Sequence, residues 1–561
     1  MIPAKARFPV AILVAALCLG TACVRDAQDE PPALPDLISK RLSELSYAPS
    51  PDWEALGAPE ALFVFYRKRA FEPAWTREGL LLARAEELLG ALDGAGAEGL
   101  NRADYHFEPI RRLADAVRGR NRKNRAVPVP DLADLDLYCS DSFILYATHL
   151  LRGKVDQESM EPAWGLWPGE LALASYLDVS LFAEGVRDAL LGLVPVHDHY
   201  NRLRRAFLTA AGDPGGWPRI KPGLPLRKGD RGGRVKTLRK RLEASGDCEE
   251  TSAGRRGVFD EPLERGLRRF QDRVGLDATG VLDGASFAFL NFSRQYWTRR
   301  LTVNLERWRW LPRALGRSYI LVNVADFRLD LYERDGRVLS MKIVAGNRAW
   351  PTPVFASRIS QVILNPSWII PVEVVLKETR NYILADPNYL NANKMRVLRG
   401  KGENEREIDP ATVDWKSLEA GDLDFYIRQE PGPLNVLGAV KFAMRNDYEI
   451  YLHDTPYQED FGKSVRAYSH GCIRVEKPID LAARLLNGRN GWTPERIREA
   501  IAAGVEVRID LAEAADVFFQ YGTAWVDGDG TVEFRPDIYG SDAGLFESLG
   551  RRPPWAAGHG R

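Results

Sequence analysis

The sequence is poor in cysteine and histidine and carries no net charge. Its 561 residues include five cysteines and seven histidines, and 77 lysines plus arginines balance 77 aspartates plus glutamates. So few cysteines exclude a disulfide scaffold. The charge balance provides no net field to attract nucleic acid or an anionic membrane, although local patches are compatible with it. The length predicts about two to four domains, and 45% hydrophobic residues describe an ordinary globular core.

A long hydrophobic run is also missing. Near the N-terminus, an apolar core from Val10 to Leu19 follows a positive stretch and is too short to span a membrane comfortably. Small residues lead up to Cys23, so residues 1–23 are predicted to be an export signal. Three interpretations stay open: Cys23 carries a lipid, cleavage falls near Ala22, or the segment remains as an anchor. The proline- and acid-rich residues 24–35 are predicted to be a tether.

One cysteine lies in a context that indicates chemistry. Two runs supply the candidate residues, namely Tyr451-Leu-His453-Asp-Thr-Pro and Ser469-His470-Gly471-Cys472-Ile-Arg474. A lone cysteine is usually a small buried hydrophobe, but a thiol beside histidines has the parts of a nucleophile activated by imidazole. Gly471 lets the backbone approach a substrate or adopt a positive φ. Alternation after Cys472 predicts a short strand, and Pro478 predicts the start of a helix.

These runs resemble the signature of YkuD-type L,D-transpeptidases, in which an H-G-T-like segment precedes S-H-G-C-[IV]-R. The longer stretch from Arg428 to Cys472 is similar to the YcbB-like subgroup of that family. The resemblance implies that Cys472 is the nucleophile and that His453 is the base. It implies that a backbone carbonyl orients the imidazole, so Asp454 need not be a catalytic carboxylate. Further residues are expected to shape the site or to contact the substrate or oxyanion: Ser469, His470, Gly471, Arg474, Tyr451 and Trp368.

The resemblance implies acyl transfer on peptidoglycan stem peptides in the periplasm or cell envelope. Cys472 would attack the diaminopimelate carbonyl, and a second diaminopimelate would take the acyl group to give a 3→3 cross-link. No metal or organic cofactor is implied. Water as the acceptor would make the same site an L,D-carboxypeptidase. Arg474 is expected either to hold a substrate carboxylate or to brace the loop. Other wall synthases are candidate partners, and only an N-terminal anchor or lipid would involve a membrane.

Three other classes of protein compete with this interpretation. A zinc-dependent wall hydrolase would need a cluster such as H-E-x-x-H, which the seven histidines do not form. A non-catalytic wall-binding protein is disfavoured because its cysteine and histidine set would be damaged, whereas here it is intact. A transpeptidase that anchors proteins to the wall shares the chemistry but usually lacks so large a scaffold.

The pattern along the chain predicts a multidomain α+β protein. Residues 36–215 are predicted to be an all-α scaffold without chemistry, because apolar residues recur at helical spacing. Residues 222–291 resemble a three-helix peptidoglycan-binding module, with a spacer bundle as the alternative. Residues 293–315 are predicted to be a connecting helix. Residues 318–510 are predicted to form a β-rich catalytic domain, and residues 511–561 a tail that contains a hairpin.

Four further features of the sequence carry smaller predictions. A polar stretch at about 375–428 is predicted to be a helical capping insertion, because an insertion of this length that keeps its aromatics favours an ordered lid. His197 and His199 are expected in an exposed linker, since no third metal ligand is evident. The acidic loop 527–529 lacks the ligand spacing for calcium. Cys139 and Cys248 are candidates for a disulfide that the sequence cannot place.

Overall fold

The computed structural model describes residues 32–44, 55–156, 173–181, 185–212, 215–249, 257–334, 336–400, 402–419, 423–486 and 491–551. The export signal, Cys23 and most of the tether lie outside the described residues. Among the described helices, none is both long and apolar enough to cross a membrane.

The N-terminal part of the chain is helical, as the periodicity predicts. It comprises α-helices Leu34–Ser43, Pro59–Lys68, Ala83–Asp93, Phe107–Arg122, Val129–Arg152, Leu173–Ser180, Val186–Leu191 and Asp198–Gly212, 3-10 turns Gly94–Glu98 and Arg102–Asp104, and a hairpin of strands β1 (Thr76–Arg77) and β2 (Leu80–Leu81). The helix Val129–Arg152 is buried along most of its length and forms the centre of this core, whereas Asp198–Gly212 packs against the connecting helix. Cys139 is buried in this core, whereas Cys248 is buried in the next module. Both are free thiols, so the disulfide considered between them does not form.

Three helices follow in the module predicted at 222–291: Gly233–Ala244, Glu261–Arg273 and Gly284–Leu290. Asp260 caps the second of them, because its side chain accepts a hydrogen bond from the Leu263 amide at 3.2 Å. Leu263, Leu267 and Phe270 form one apolar stripe and are fully buried. Their cluster continues into the core of the catalytic domain, so the module is packed against that domain.

The connecting helix, Arg294–Arg309, is the buried junction of the molecule. Glu306 accepts hydrogen bonds from the Val155 amide at 2.7 Å and from Arg309 at 2.6 Å, and both charged side chains are fully buried. On the other side of the helix, Arg307 pairs with Asp542 at 2.6 Å. Buried charges are tolerated when they are paired and hydrogen-bonded, as here, and the network ties the scaffold to the C-terminal part of the chain.

The two histidines expected in an exposed linker are instead packed against this helix, so that prediction is wrong. His199 stacks on Trp308, with ring centroids 5.3 Å apart, and His197 lies 4.6 Å from the same ring. Burial lowers the pKa of His197 to about 3 and that of His199 to about 4. Among the described residues, no group of three or more potential ligands could hold a metal ion.

The catalytic region is built on a nine-stranded sheet in the order β13-β5-β14-β12-β11-β6-β15-β3-β4. Because β4 also pairs with β5, the strands from β5 round to β4 close into a ring, and β13 adds to its edge. The strands are β3 (Tyr319–Asn323), β4 (Arg328–Glu333), β5 (Gly336–Gly346), β6 (Phe355–Leu364), β11 (Val440–Met444), β12 (Leu452–His453), β13 (Ala467–Ser469), β14 (Ile473–Val475) and β15 (Val507–Gln520).

The sheet extends past the boundary predicted at residue 510. Strand β15 continues to Gln520, and its last five residues pair with β3 in parallel register. The remaining elements of this region are helices Pro478–Leu486, Pro494–Ala502 and Asp542–Gly550, the 3-10 turn Gln458–Gly462, and the hairpin of β16 (Ala524–Val526) and β17 (Val532–Phe534) predicted in the tail. β4 and β5 pair in antiparallel register, with Glu333 opposite Gly336.

The capping insertion is not purely helical. It contains a four-stranded sheet in the order β7-β10-β8-β9, which the polar composition of the segment does not reveal. Its strands are β7 (Trp368–Ile369), β8 (Met395–Arg399), β9 (Arg406–Glu407) and β10 (Tyr426–Gln429), and its helical pieces are Val372–Val374, the π-helix Val375–Thr379, Arg380–Ala385, Tyr389–Ala392, Gly402–Asn404 and Pro410–Thr412. A separate core that includes Val397, Trp415 and Ile427 holds it together. The insertion is therefore an ordered subdomain.

Candidate active site

Strands β11, β12 and β14 lie side by side and bring the candidate residues to one face of the sheet. Lys441 pairs with His453 across β11 and β12, and His453 pairs with Arg474 across β12 and β14. Since side chains alternate along a strand, Tyr451 and Cys472 project on the same side as His453 and Arg474. The intervening Leu452 and Ile473 face the core and are fully buried.

Cys472 lies at the entrance to β14, immediately after the sharp turn at Gly471. Gly471 has φ = +107°, a conformation that other residues rarely adopt. The Cys472 sulfur is 3.7 Å from the Glu449 carbonyl oxygen, and the side chain is partly exposed. Burial of the sulfur raises its pKa to about 11, although hydrogen bonding to Tyr451 and the charge of Lys441 oppose the shift. The resting residue is therefore a thiol.

His453 is oriented by a backbone carbonyl, as the resemblance implied. Its Nδ1 lies 2.5 Å from the Asp454 carbonyl oxygen, which can only accept, so Nδ1 carries the proton. Nε2 is then the basic nitrogen. Burial, with the Arg474 charge as the next cause, lowers the His453 pKa to about 3, so the imidazole is neutral at rest. The Asp454 carboxylate instead accepts from the Ala439 amide at 2.8 Å and supports the preceding turn.

Tyr451 links the thiol to a lysine that the sequence analysis left without a role. The Lys441 ammonium is 3.7 Å from the centroid of the Tyr451 ring, and Tyr451 and Cys472 directly precede the paired residues Leu452 and Ile473. A desolvated cation over an aromatic face is worth about 2 kcal/mol. Burial lowers the pKa of Lys441 and raises that of Tyr451 well above its usual range.

Ser469 and Thr352 fix the turn that presents Cys472. The Ser469 hydroxyl donates to the Cys472 carbonyl and accepts from the Gly471 amide at 3.1 Å. Thr352 donates to the Gly471 carbonyl at 2.7 Å and accepts from the Gly346 amide at 2.9 Å. Both hydroxyls are buried, so these bonds are sheltered from water.

His470 points out of the sheet toward the capping insertion. Its Nε2 lies 2.6 Å from Glu378, which belongs to the π-helix of the insertion. Beside this pair, the Lys377 ammonium is 4.2 Å from the centroid of Trp350, whose ring lies 5.5 Å from that of His470. The insertion therefore contacts the loop that carries the nucleophile. A π-helix is a frequent feature of functional sites.

Arg474 pairs with Asp460 rather than standing open to a ligand. Its guanidinium is 3.1 Å from the Asp460 carboxylate and lies over the Tyr457 ring at 5.4 Å. Lys463 contacts the same carboxylate at 2.6 Å. Of the two roles considered for Arg474, this geometry favours bracing the segment between β12 and β13.

The structure thus brings the two catalytic candidates and the six supporting candidates into one region. The sequence analysis missed Lys441, Glu378 and Thr352. Period-2 alternation in β11 was the available signal for Lys441, because it puts the lysine out of phase with the buried Phe442. Glu378 and Thr352 reach the site from distant segments, and their spacing in the sequence carries no such signal.

Comparison with known families follows the same division of the chain. Residues 317–499 match the model described as "L,D-transpeptidase catalytic domain", the YkuD family. Residues 231–290 match the model described as "Putative peptidoglycan binding domain", and residues 60–207 match a "Scaffold domain". Cys472 and His453 both lie within the residues that match this model. This part of the chain is therefore similar to the catalytic domain of the YkuD family of L,D-transpeptidases.

Among curated proteins, a relative from Haemophilus influenzae named "Putative L,D-transpeptidase" is 34% identical over 245 residues, which is 44% of this chain. The chain spans about half the length of that relative, since 48% of it is covered.

Two solved L,D-transpeptidases show a weaker similarity. The enzyme from Mycobacterium smegmatis is 9% identical, with a TM-score of 0.18, and covers 37% of this chain and 60% of its own. The enzyme from Xylanimonas cellulosilytica is 12% identical, with a TM-score of 0.17, and covers 54% of this chain and 100% of its own. At these scores the superpositions carry no argument, and the assignment rests on the sequence matches.

Proposed function

We propose that this protein forms 3→3 cross-links between diaminopimelate residues of peptidoglycan through a thioester on Cys472. One observation carries the proposal: the Asp454 carbonyl fixes the proton of His453 on Nδ1, and the strand register puts this imidazole on the same face as Cys472. This is the arrangement that a general base needs to activate a thiol.

In the first half-reaction, Cys472 attacks the diaminopimelate carbonyl of a tetrapeptide stem while His453 Nε2 takes the thiol proton. Both groups are neutral at rest, so the thiolate and imidazolium form together during attack. Backbone amides next to the nucleophile can donate hydrogen bonds to the oxyanion. The Gly471 amide already donates to the Ser469 hydroxyl, so we assign the Cys472 amide to this role. Collapse of the adduct breaks the amide bond, and the imidazolium gives its proton to the departing amine of D-alanine.

In the second half-reaction, the side-chain amine of another diaminopimelate attacks the thioester. His453 takes a proton from this amine and returns it to the sulfur as the thiol leaves. The product is a new amide bond and a regenerated Cys472. Water as the acceptor would release a tripeptide instead, which is the carboxypeptidase alternative.

The capping insertion is placed to control which acceptor enters. Trp368 begins its first strand, and Glu378 of its π-helix contacts His470 on the nucleophile loop. A cover that excludes water favours transfer to an amine over hydrolysis. Ser469 and Gly471 fix the turn that presents Cys472, and Arg474 braces the segment between β12 and β13. We assign them positioning roles rather than direct chemistry.

A wall substrate places this activity in the cell envelope. The export signal predicted at residues 1–23 would deliver the chain to the periplasm, with or without a lipid on Cys23. Mass measurement of the mature N-terminus decides between these. An acyl mass on Cys23 would establish the lipid, and a free amine at or near Cys23 would exclude it.

The decisive experiment for the chemistry uses a soluble tetrapeptide stem and intact-mass measurement of the full chain. The wild type should gain the mass of an acyl group with loss of D-alanine, and Cys472→Ala and His453→Ala should not. Cys248→Ala, which removes a thiol of the three-helix module, is the matched control and should react normally. Near-normal turnover by Cys472→Ala or His453→Ala would overturn the assignment.

Digestion of treated sacculi with mass analysis of the fragments then separates the outcomes. Cross-linked 3→3 dimers support the proposal, whereas tripeptides alone would establish a carboxypeptidase and peptide-linked protein an anchoring enzyme. The strained carbonyl of a carbapenem should acylate the same thiol. We expect one drug-mass adduct in the wild type and none in Cys472→Ala, and slower loss of the adduct than with penicillins.

A further inference from the structure

A groove lies at the seam between the three-helix module and the connecting helix, away from the nucleophile. Its main cavity has a volume of about 520 Å³ and is bordered by two segments, Gly216–Arg219 and Leu290–Tyr296, together with Arg299. A second hollow of about 470 Å³ shares Gly216 and residues 293–295 with the first and extends it along the scaffold. We call these two hollows the seam groove.

Aromatic side chains form the apolar part of the seam groove. Phe292 and Tyr296 stack on each other, with ring centroids 4.0 Å apart, and both are only partly buried. Trp217 lines the same cavity, and the guanidinium of Arg241 stacks on its ring at 3.7 Å. Such rings present flat apolar surfaces at little entropic cost, which suits the apolar faces of sugar rings.

The charged side chains that line the seam groove are all positive, although the chain as a whole has no net charge. Three arginines line it, Arg219, Arg294 and Arg299, and no carboxylate is among the described lining residues. Behind Trp217, the side chain of Arg241 is fully buried, and its two terminal nitrogens have no hydrogen-bond partner in the described part of the chain. Planar guanidinium groups are suited to carboxylates, which they bind in pairs of hydrogen bonds.

The walls of the groove are held in place before any ligand arrives. Asn291 accepts a hydrogen bond from the Ile220 amide at 2.8 Å and donates to the Ile220 carbonyl at 3.1 Å, which ties the two bordering segments together. Ser293 caps the connecting helix, and Arg241 Nε donates to the Leu290 carbonyl at 2.8 Å. A preformed groove loses less conformational entropy on binding.

We propose that the seam groove binds a glycan strand of peptidoglycan, with sugar rings against the aromatic side chains and stem-peptide carboxylates on the arginines. This inference rests on the proposed function for its ligand class. It assigns wall binding to a composite surface that includes Trp217 and the connecting helix, in addition to residues 231–290 that match the binding-domain model.

The test measures binding of the full chain to a soluble peptidoglycan tetrasaccharide that carries tetrapeptide stems. Trp217→Ala and Arg219→Glu should each raise the Kd at least about tenfold. A neutral chitin oligosaccharide should bind more weakly and respond to Trp217→Ala but not to Arg219→Glu. The Kd of the free tetrapeptide should be the same for the wild type and both variants.

The chain offers matched controls in the catalytic domain. Trp492 lies beneath Arg496 at 4.5 Å, which repeats the arginine-over-tryptophan arrangement, and Arg498 is an exposed arginine nearby. Trp492→Ala and Arg498→Glu should leave the Kd unchanged. Wild-type affinity in both groove variants, or equal losses in the controls, would overturn the inference.

Acylation by the free tetrapeptide keeps this inference separable from the proposed function. The groove variants should form the Cys472 acyl-enzyme at the wild-type rate, because the groove lies outside the nucleophile site. Normal acylation with unchanged glycan binding would refute the groove alone. Absence of acylation in the wild type would refute the proposed function, whatever the groove binds.

Discussion

Replacement of Lys441 by methionine should make Cys472 harder to ionise. The lysine lies over the Tyr451 ring, and its positive charge opposes the burial that raises the thiol pKa to about 11. At that pKa, about one thiol in ten thousand is ionised at pH 7. A neighbouring opposite charge shifts a pKa by about 1–3 units, so loss of the ammonium should lower the thiolate fraction roughly tenfold or more at any pH below 11.

The assay is the rate of alkylation by iodoacetamide between pH 6 and 9, because only the thiolate reacts. In the wild type, the rate should rise about tenfold per pH unit, since the whole range lies below the pKa of about 11. Lys441→Met should lower the alkylation rate about tenfold at every pH without changing its dependence on pH, and Lys441→Arg should restore the wild-type rate. Lys477→Met, which removes an exposed lysine of the same domain, is the control.

Two results would refute this reasoning. A rate that is flat from pH 6 to 9 would show that a thiolate–imidazolium pair exists before substrate binds. A Lys441→Met line that coincides with the wild type would show that the ammonium does not act on the sulfur. A merely structural role would lower thermal stability in Lys441→Met and leave the pH profile in place.

Three further predictions concern the fold and the turn. Glu306→Ala should lower the free energy of unfolding by about 3–5 kcal/mol, because Arg309 is left buried and unpaired; urea unfolding checks this, with the exposed Glu547 as the control site. Gly471→Ala should fold, because the new Cβ meets no atom closer than 3.8 Å. It should acylate at least about tenfold more slowly, because the positive φ strains an alanine and displaces the turn that carries Cys472. Wild-type acylation kinetics would contradict this prediction. Acid should weaken the fold. His149 and His453 have pKa values of about 3 in the folded chain, so the unfolded chain binds more protons below about pH 6.5. Each histidine should therefore lower the free energy of unfolding by about 2 kcal/mol at pH 5. Equal urea midpoints at pH 7.5 and pH 5 would contradict this prediction.

Local patterns predicted the secondary structure around Cys472. Alternation identified Ile473–Val475 as a strand, and the proline rule identified the helix that begins at Pro478. The spacing of the motif also indicated the turn at Gly471. These features depend on residues within a few positions of one another, where sterics and hydrogen bonding act through the nearby backbone.

Features that depend on residues distant in the sequence could not be predicted from local patterns. His197 and His199 are half-buried because Trp308 of the connecting helix covers them, and nothing beside them in the sequence signals that ring. The strands of the capping insertion, such as Met395–Arg399, are short and lie among polar residues. Their pairing is fixed by a small core of its own, which only the tertiary structure reveals.

The neutral resting state of the site also bears on where such an enzyme can work. Oxidation of a cysteine follows its thiolate fraction and its exposure, so a pKa of about 11 slows the oxidation of Cys472. The same property slows attack unless the substrate helps. Under the proposed function, a bound stem would close off water and bring the carbonyl to the sulfur, so that proton transfer to His453 would be coupled to bond formation. Lys441 lies over the Tyr451 ring, and its charge favours the thiolate of Cys472. Under the proposed function, activation of the thiol would therefore be coupled to binding of the stem peptide.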